Sequence, residues 1–173
     1  MGCDIHSFAE VRRNNKWEIV KEHFSLDEFN RKYYNKEKGD NPFDWRSYSM
    51  FGFLAGVRNY SCCEPISESK GIPEDVCEEI KEEYERWDSD AHSASYLTLR
   101  ELIEFDYNQI LWDRRITREE SPNCFNGAAL ANEGEGKMIT YREHLGESFF
   151  KHLEELNQLG ELDDVRIVFW FDN

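Results

Sequence analysis

The sequence predicts an α+β fold in which a small, mostly antiparallel sheet packs with several helices. The chain begins with an alternating stretch typical of a strand, and it ends with an almost wholly apolar stretch, Val165 to Asp172, typical of a central strand. Between them, helix-like and strand-like segments follow each other without regular alternation, which argues against a doubly wound parallel fold. With no internal repeat or boundary visible, we expect residues 1–173 to form a single domain.

The composition indicates a folded, acidic protein. Aromatic residues make up 14% of the 173 residues, which is typical of a chain that buries a core. We find neither a run of about 20 apolar residues, as a membrane span needs, nor the basic and apolar regions of a signal peptide. We therefore expect a cytoplasmic protein without membrane association. The net charge of −15 argues against general nucleic-acid binding but not against a small anionic ligand in a local basic pocket.

The cysteine pattern indicates free thiols. The five cysteines lie at positions 3, 62, 63, 77 and 124, and no two are separated by the spacing of a zinc knuckle or a thioredoxin-type site. The number is odd and no metal or redox spacing occurs, so free thiols in a reducing cytosol fit the pattern best.

The first half of the chain predicts a β-hairpin and three helices. Residues 3–11 and 17–21 form the hairpin, because Asn14 and Asn15 tolerate the left-handed backbone of a tight turn. Ser25 and Glu28 have the spacing of a capping box and predict a helix over 26–34. A polar loop follows, then an apolar helix over 48–57. Pro73 suits the first turn of a helix over 74–87.

The second half predicts two capped helices around an irregular region. Residues 88–95 read as a polar loop before a helix capped by Thr98 and Glu101. Residues 106–140 predict a long excursion, with a turn capped by Thr117 and Glu120. Thr140 opens one long helix reaching Leu156, with Gly160 as its C-cap. We expect His144 and His152, which flank its apolar stripe, to lie at the surface or the edge of the core.

Asp4 and His6 are the first candidate site. Side chains alternate across a strand, so these two share one face of the opening strand. If the first and last strands pair, Arg166, Trp170 and Asp172 share that face as well. A carboxylate beside an imidazole can bind a divalent metal, orient the ring or hold a phosphate. A polar face exposed to solvent is the alternative interpretation.

Asp4-x-His6 also suggests the first motif of calcineurin-like metallophosphoesterases, but the rest of the chain excludes that class. In those enzymes a glycine follows the histidine, and a Gly-Asn-His motif comes later. Here Ser7 follows His6, and no Gly-Asn-His occurs. A Gly-rich phosphate loop, a Gly-x-Ser-x-Gly elbow and a His-Glu-x-x-His motif are absent from the sequence as well.

His92, Ser93 and Arg58 are further candidates. His92 and Ser93 precede a predicted helix N-terminus, where free N–H groups favour an anion, and His92 can act as a general base. A loop rich in capping residues explains the same pattern. Arg58 follows the apolar helix 48–57, where it can either bind a ligand or interact with the helix C-terminus.

Four segments resemble a group of small proteins encoded by tailed phages. They are Met-Gly-Cys-Asp-Ile-His at the start, Phe-Leu-Ala-Gly-Val-Arg-Asn in the middle, His-Ser-x-Ser-x-Leu-Thr-Leu, and Val-Arg-Ile-Val-Phe-Trp-Phe-Asp-Asn at the end. The resemblance implies a phage-encoded accessory protein in the cytoplasm of an infected host cell. Because some small phage proteins sequester or cleave nucleotide immune signals, it further implies, by analogy, a role in counter-defence.

Three functional hypotheses follow. The first is a binding module, in one arrangement a homo-oligomer with the site between subunits, that holds a small phosphorylated, nucleotide-like ligand and requires no cofactor. The second is a phosphodiesterase-type hydrolase in which Asp4 and His6 hold a divalent metal, or His92 with Asp4 performs catalysis. The third is an acidic inhibitor of another protein. For the binding module, we expect the ligand to contact Asp4, His6, Arg58, His92, Ser93 and Asp172.

Overall fold

A computed structural model of the chain describes residues 2–117, 120 and 128–173. They form two compact units. The first contains the residues up to Arg46, together with Ser69–Phe105 and Ser148–Asn173. The second contains Ser47–Glu68 and the described residues of Asp106–Glu147. The single domain over 1–173 stays a prediction.

The secondary structure confirms the α+β class. The helices are α1 (Glu28–Tyr34), α2 (Tyr48–Ala55), α3 (Glu78–Trp87), α4 (Leu99–Glu104), α5 (Tyr141–Leu145) and α6 (Glu147–Asn157). The strands are β1 (Asp4–Arg13), β2 (Lys16–Ile19), β3 (Phe24–Ser25), β4 (Lys38–Gly39), β5 (His92–Thr98), β6 (Ile110–Asp113), β7 (Arg115–Thr117), β8 (Ala128–Leu130), β9 (Lys137–Thr140) and β10 (Val165–Asp172). Among the described residues, the helices are too short or too polar to cross a membrane.

The main sheet of the first unit joins the two ends of the chain. Its strand order is β2-β1-β10-β5, and all three pairings are antiparallel. In the β1–β10 register, Asp4 pairs with Asp172 and Val11 pairs with Val165. The closing strand therefore has a neighbour on both sides, which confirms its predicted central position.

The predicted opening hairpin is confirmed, with strands slightly different in extent. Asn14 and Asn15 connect β1 to β2 with φ angles of 50° and 61°. Two successive residues with positive φ form the tight turn that matches the twist of the flanking strands.

Both faces of this sheet are packed. On one face, β1 contributes small and apolar side chains, and β10 contributes Val165, Ile167, Phe169 and Phe171, all fully buried. On the opposite face, Val168 and Trp170 form a buried cluster with Ile80 and Cys77 near the start of α3. The helix α3 therefore covers the face that carries Asp4 and His6.

A buried ion pair crosses the same face. Glu10 is fully buried, and the Nε of Arg166 donates to its Oε2 at 2.6 Å. The other carboxylate oxygen of Glu10 accepts a hydrogen bond from the backbone N–H of Cys77 at 2.7 Å. Arg166 also donates to Asp75 at 2.7 Å. These contacts hold residues 75–77 against the sheet, and α3 begins at Glu78. The predicted start at 74 is therefore wrong.

The predicted cap of α1 is also wrong. Its N-cap is Asp27, whose side chain accepts from the N–H of Asn30 at 2.7 Å. Ser25 lies in β3 instead, and both its N–H and its hydroxyl donate to the carboxylate of Glu155. Because Ser25 is bound by the buried carboxylate of Glu155, which is distant in the sequence, it does not form the helix cap that the local pattern predicts.

The long helix predicted from Thr140 to Leu156 is two helices. The capping box of Thr140 and Glu143 is confirmed at the start of α5. However, Gly146 ends α5 with φ of 76°, and α6 begins at Glu147. Glycine adopts this conformation without steric cost, so α5 ends inside what appears in the sequence as one apolar stripe.

Half of the polar loop predicted over 88–95 is a strand, because β5 begins at His92. From His92 onward the chain pairs with β10, with Phe171 opposite His92 and Val168 opposite Tyr96. The polar composition of 92–95 concealed this strand, because its partner is the apolar β10 and not a neighbouring segment. The capping box of Thr98 and Glu101 is confirmed at the start of α4.

The second unit combines α2 with two short antiparallel strand pairs. The apolar helix predicted over 48–57 is α2, which ends at Gly56 with φ of 68°. The predicted irregular excursion contains pairs of β6 with β9 and of β7 with β8. Thr117 donates to Glu120 as the turn prediction requires. The rest of that turn and Cys124 lie outside the described residues, whereas Cys3, Cys62, Cys63 and Cys77 are not part of a disulfide.

His144 and His152 are buried, at 9% and 5% exposure, so of the two predicted positions, surface or edge of the core, the surface is wrong for both. In the first unit, Nδ1 of His152 accepts from the N–H of Phe43 at 3.0 Å, and Nε2 lies 2.9 Å from the carbonyl oxygen of Ser25. Nδ1 as acceptor and Nε2 as donor define a neutral imidazole. Burial lowers the pKa of His152 below its usual value, and burial lowers the pKa of His144 as well.

We expect acidification to destabilise the protein before its carboxylates titrate. Because the pKa of His152 is lower in the folded state, its contribution to stability is complete above the unfolded pKa of about 6.5 and is lost as the pH falls below it. Urea denaturation between pH 8 and pH 5 measures this. The variant His152→Asn should be less stable at pH 8 but should show a shallower decline. An equally steep decline in the variant would contradict the assignment.

Candidate functional site

The structure brings together three of the predicted site residues at one end of the main sheet. In the register of β1 with β10, Asp4 lies opposite Asp172 and His6 lies opposite Trp170. The predicted sharing of this face is therefore confirmed, and Arg166 occupies the same face at the other end of β10.

His6 and Asp172 form a hydrogen-bonded pair that solvent can reach. The Nε2 of His6 lies 3.3 Å from Oδ2 of Asp172, and the two side chains are 24% and 22% exposed. The other carboxylate oxygen accepts the backbone N–H of Asp4 at 3.1 Å. Asp172 thus orients the imidazole ring, and Nδ1 of His6 is left as the nitrogen that can contact a ligand.

Two tryptophans hold the ring of His6 in place. The ring centroid of Trp87, at the end of α3, lies 4.1 Å from that of His6, and that of Trp170 lies 5.8 Å away. Phe8 in turn stacks on Trp170 at 5.3 Å. A histidine packed between aromatic rings has few rotamers open to it, so its free nitrogen keeps one direction.

Asp4 forms an ion pair with Arg46, a residue that the sequence analysis did not predict to be in the site. Nε and Nη2 of Arg46 donate to the two oxygens of Asp4 at 2.9 and 2.7 Å. Hydrogen bonding to Arg46 lowers the pKa of Asp4 below its usual value. A Cβ added at Gly2 would lie 2.6 Å from the guanidinium, which explains glycine at this position. Asp4 therefore anchors the strand end more than it serves as an open ligand.

A groove of about 490 Å³ opens beside His6. One wall is the strand segment from Ile5 to Phe8, whose backbone is held by Asn41 Nδ2 donating to the carbonyl of Ser7 at 2.7 Å. The ionisable residues around the groove, apart from His6, are Lys21, Asp40, Asp44, Glu79 and Glu83. Sequence reasoning missed all five, because they come from three separate segments whose proximity only the fold creates.

His92 lies on the other face of the sheet. His92 stacks on Phe171 at 6.1 Å, whereas His6 contacts Trp170, and successive residues of a strand point to opposite faces. Nδ1 of His92 lies 3.1 Å from the Ser93 hydroxyl, and its Nε2 is buried without a described partner. The structure therefore does not bring His92 to the His6 groove.

Arg58 belongs to the second unit, where it follows α2 with φ of 47°. It is therefore not part of the residue set that the main sheet assembles. The predicted metal site also lacks a third ligand in the described chain, where no three His, Cys, Asp or Glu side chains come close enough together to bind one ion.

Comparison of the chain with protein-family models, with curated proteins and with solved structures gave no match. The resemblance to tailed-phage proteins therefore stays a prediction from the four sequence segments. The interpretation of the site rests on its geometry.

Proposed function

We propose that this protein is a binding module that holds a small polar ligand in the groove beside His6. The observation that carries the proposal is the His6–Asp172 pair, which lies at a groove of ligand size with one imidazole nitrogen uncommitted. Concave sites with a few fixed polar groups on an otherwise packed surface are the usual form of small-molecule sites.

Rigidity of the site supports binding. His6 is held by Asp172 and by two tryptophans, and the sheet beneath it is buried. A site that is ordered before the ligand arrives loses little conformational entropy on binding. Among the residues lining the groove, Ser7 is the only one with a hydroxyl group. Its side chain belongs to the core-facing set of β1, so the lining offers no hydroxyl nucleophile that could pair with His6.

The biological role we propose is that of a phage-encoded accessory protein that sequesters a host signal. The phosphorylated, nucleotide-like ligand expected from the sequence has two groups to meet its phosphate in this groove, His6 and Lys21. The four carboxylates can accept hydrogen bonds from a base or a ribose, but they oppose the phosphate charge. Nucleotides are therefore the first ligands to test, and the charge of the groove makes amines the second.

Hydrolysis is the alternative function, and the same pair favours it in one form. An aspartate that orients a histidine with a free nitrogen is the arrangement of a general base that activates water. In this form the base is His6 and not His92. Incubation of cyclic and linear nucleotides with the protein, with and without Mg²⁺, followed by chromatography, tests it, and nucleotides recovered intact would eliminate it.

We expect the variant His6→Phe to lose ligand affinity by about tenfold or more, because the ring packing is kept and the hydrogen-bonding nitrogen is removed. Isothermal titration calorimetry with cyclic and linear nucleotides and with spermidine measures this loss. The control is Asp164→Asn, which removes a surface partner of Arg12 far along the sheet. If neither nucleotides nor spermidine bind the unaltered protein up to millimolar concentration, the proposal fails.

A further inference from the structure

We propose that His152 is a pH-sensitive switch for one wall of the groove beside His6, because protonation of its ring releases the loop of residues 40–46. This inference rests on the proposed binding function and adds the regulation of the site. Three of the residues that line the groove belong to this loop: Asp40, Asn41 and Asp44. A change in the conformation of the loop therefore changes the site.

The centre of the loop is attached to His152 through Phe43. The backbone N–H of Phe43 donates to Nδ1 of His152 at 3.0 Å. The phenyl ring is fully buried, with its centroid 4.8 Å from that of Phe149 and 5.7 Å from that of His152. The ring of Trp45 makes an edge contact with His152 at 5.0 Å. His152 thus contacts the loop through its backbone and through two of its side chains.

The backbone of Phe43 has a conformation that requires such support. Its φ angle is 57°, in the left-handed region, which is sterically unfavourable for a residue with a bulky side chain. A conformation of this kind persists only where the surrounding contacts maintain it. The hydrogen bond to Nδ1 of His152 is one of these contacts, so its loss allows the loop to adopt a less strained backbone.

Protonation of His152 removes this hydrogen bond. Nε2 already carries a proton, as its 2.9 Å contact with the carbonyl oxygen of Ser25 requires, so the second proton goes to Nδ1. Nδ1 then becomes a donor that faces the N–H donor of Phe43. The ring is 5% exposed, and a buried charge without a new partner is costly. The protonated ring is therefore incompatible with the observed position of the loop.

Five charged side chains surround His152. They are Glu155 and Lys151 of α6, Lys38 of β4, Asp27 at the start of α1, and Asp44 of the loop. Glu155 favours the protonated ring, whereas Lys151 and Lys38 oppose it. Because Lys38 pairs with Glu155 at 2.5 Å, these two charges largely offset each other. Burial has the largest effect, and it lowers the pKa of His152.

Hydrogen exchange of the full chain between pH 8 and pH 5, corrected for the intrinsic effect of pH, measures loop opening without any ligand. We expect the protection factor of the Phe43 amide to fall about tenfold per pH unit below about pH 6.5, the usual pKa of a histidine in an open loop. The pKa is lowered in the closed state, so the closed loop is most stable above that pH. Protection in β1 and β10 should persist, because a buried sheet exchanges mainly through global unfolding.

The variant His152→Asn should remove this pH dependence, because the side-chain oxygen of asparagine accepts the N–H of Phe43 and does not titrate. The matched control is His23→Gln, which should keep it. His23 donates through Nε2 to the carbonyl of Glu155 at 2.7 Å, and the glutamine amide can replace that donor. Unchanged pH dependence in His152→Asn, or its loss in Asp44→Asn, would overturn the inference. Equal loss of protection in the loop and in the main sheet of the unaltered protein would overturn it as well.

Calorimetric titration with the nucleotides and with spermidine separates this inference from the proposed function. We expect the unaltered protein and His152→Asn to bind the same titrant equally well at pH 8. At pH 5.5 the unaltered protein should bind it at least about threefold more weakly than the variant, because fewer molecules have the closed loop. Equal affinities at pH 5.5 would overturn the regulation of the groove. If no titrant binds, the proposed function fails, whereas hydrogen exchange still decides whether His152 releases the loop.

Discussion

The variant Glu10→Ala is expected to lose about 3–5 kcal/mol of folding free energy. The carboxylate of Glu10 is fully buried and holds both Arg166 and the N–H of Cys77. Its removal leaves the guanidinium of Arg166, which is 4% exposed, without its buried counter-charge. Losing one partner of a buried ion pair costs this much because the desolvated charge remains.

Urea denaturation of the full chain measures the loss, and two controls identify its cause. Asp75→Asn removes the exposed partner of Arg166 and should cost less than about 1 kcal/mol, since Asp75 is 67% exposed. The double variant Glu10→Met/Arg166→Met removes both buried charges, and we expect it to be more stable than Glu10→Ala alone. A double variant less stable than the single one would mean that the pair stabilises the fold through more than charge compensation.

The variant Trp170→Ala is expected to lose about 3–5 kcal/mol, because truncating a buried tryptophan leaves a large cavity. Trp170 is fully buried on the central strand, where its ring contacts His6, Phe8 and Tyr84. Its loss should also weaken the binding of any ligand by His6, because Trp87 is then the one tryptophan that still packs against the ring of His6.

The matched variant Trp170→Phe separates packing from hydrogen bonding. The indole Nε1 of Trp170 is buried without a described hydrogen-bond partner, so replacing it with carbon removes no such bond. We therefore expect Trp170→Phe to cost only about 1–2 kcal/mol, set by the smaller ring volume. Thermal and urea denaturation of the two variants measure this difference. A phenylalanine variant as unstable as the alanine variant would show that Nε1 has an interaction partner.

Local signals in the sequence predicted the elements that depend on adjacent residues. The hairpin turn at Asn14 and Asn15 and the capping boxes at Thr98 and Thr140 all formed as predicted. In each case the interaction that selects the structure lies within four residues along the chain. The central position of the closing strand was predicted equally well, because a strand that is apolar on both faces is typical of the middle of a sheet.

The errors arose where a distant residue competed with a local pattern. Ser25 has the sequence of a helix cap but donates to Glu155, 130 residues away. Residues 75–77 have the sequence of a first helical turn but are held by Arg166 and Glu10. The strand of 92–95 forms because β10 offers it backbone partners. Hydrogen bonds to buried distant groups outweigh propensities of a few tenths of a kcal/mol.

The sequence by itself determined that Asp4 and His6 share one strand face and that Trp170 and Asp172 share another, because alternation along each strand requires it. The tertiary structure joined the two faces by pairing β1 with β10. Only the tertiary structure decided what those groups do. It paired Asp4 with Arg46 and His6 with Asp172, and it placed His92 on the opposite face of the sheet. It also brought carboxylates from the loop at 40–44 and from α3 to the groove. These contacts depend on which distant segments of the chain meet. The sequence has no periodic or adjacent signal at those positions, so it does not predict the contacts.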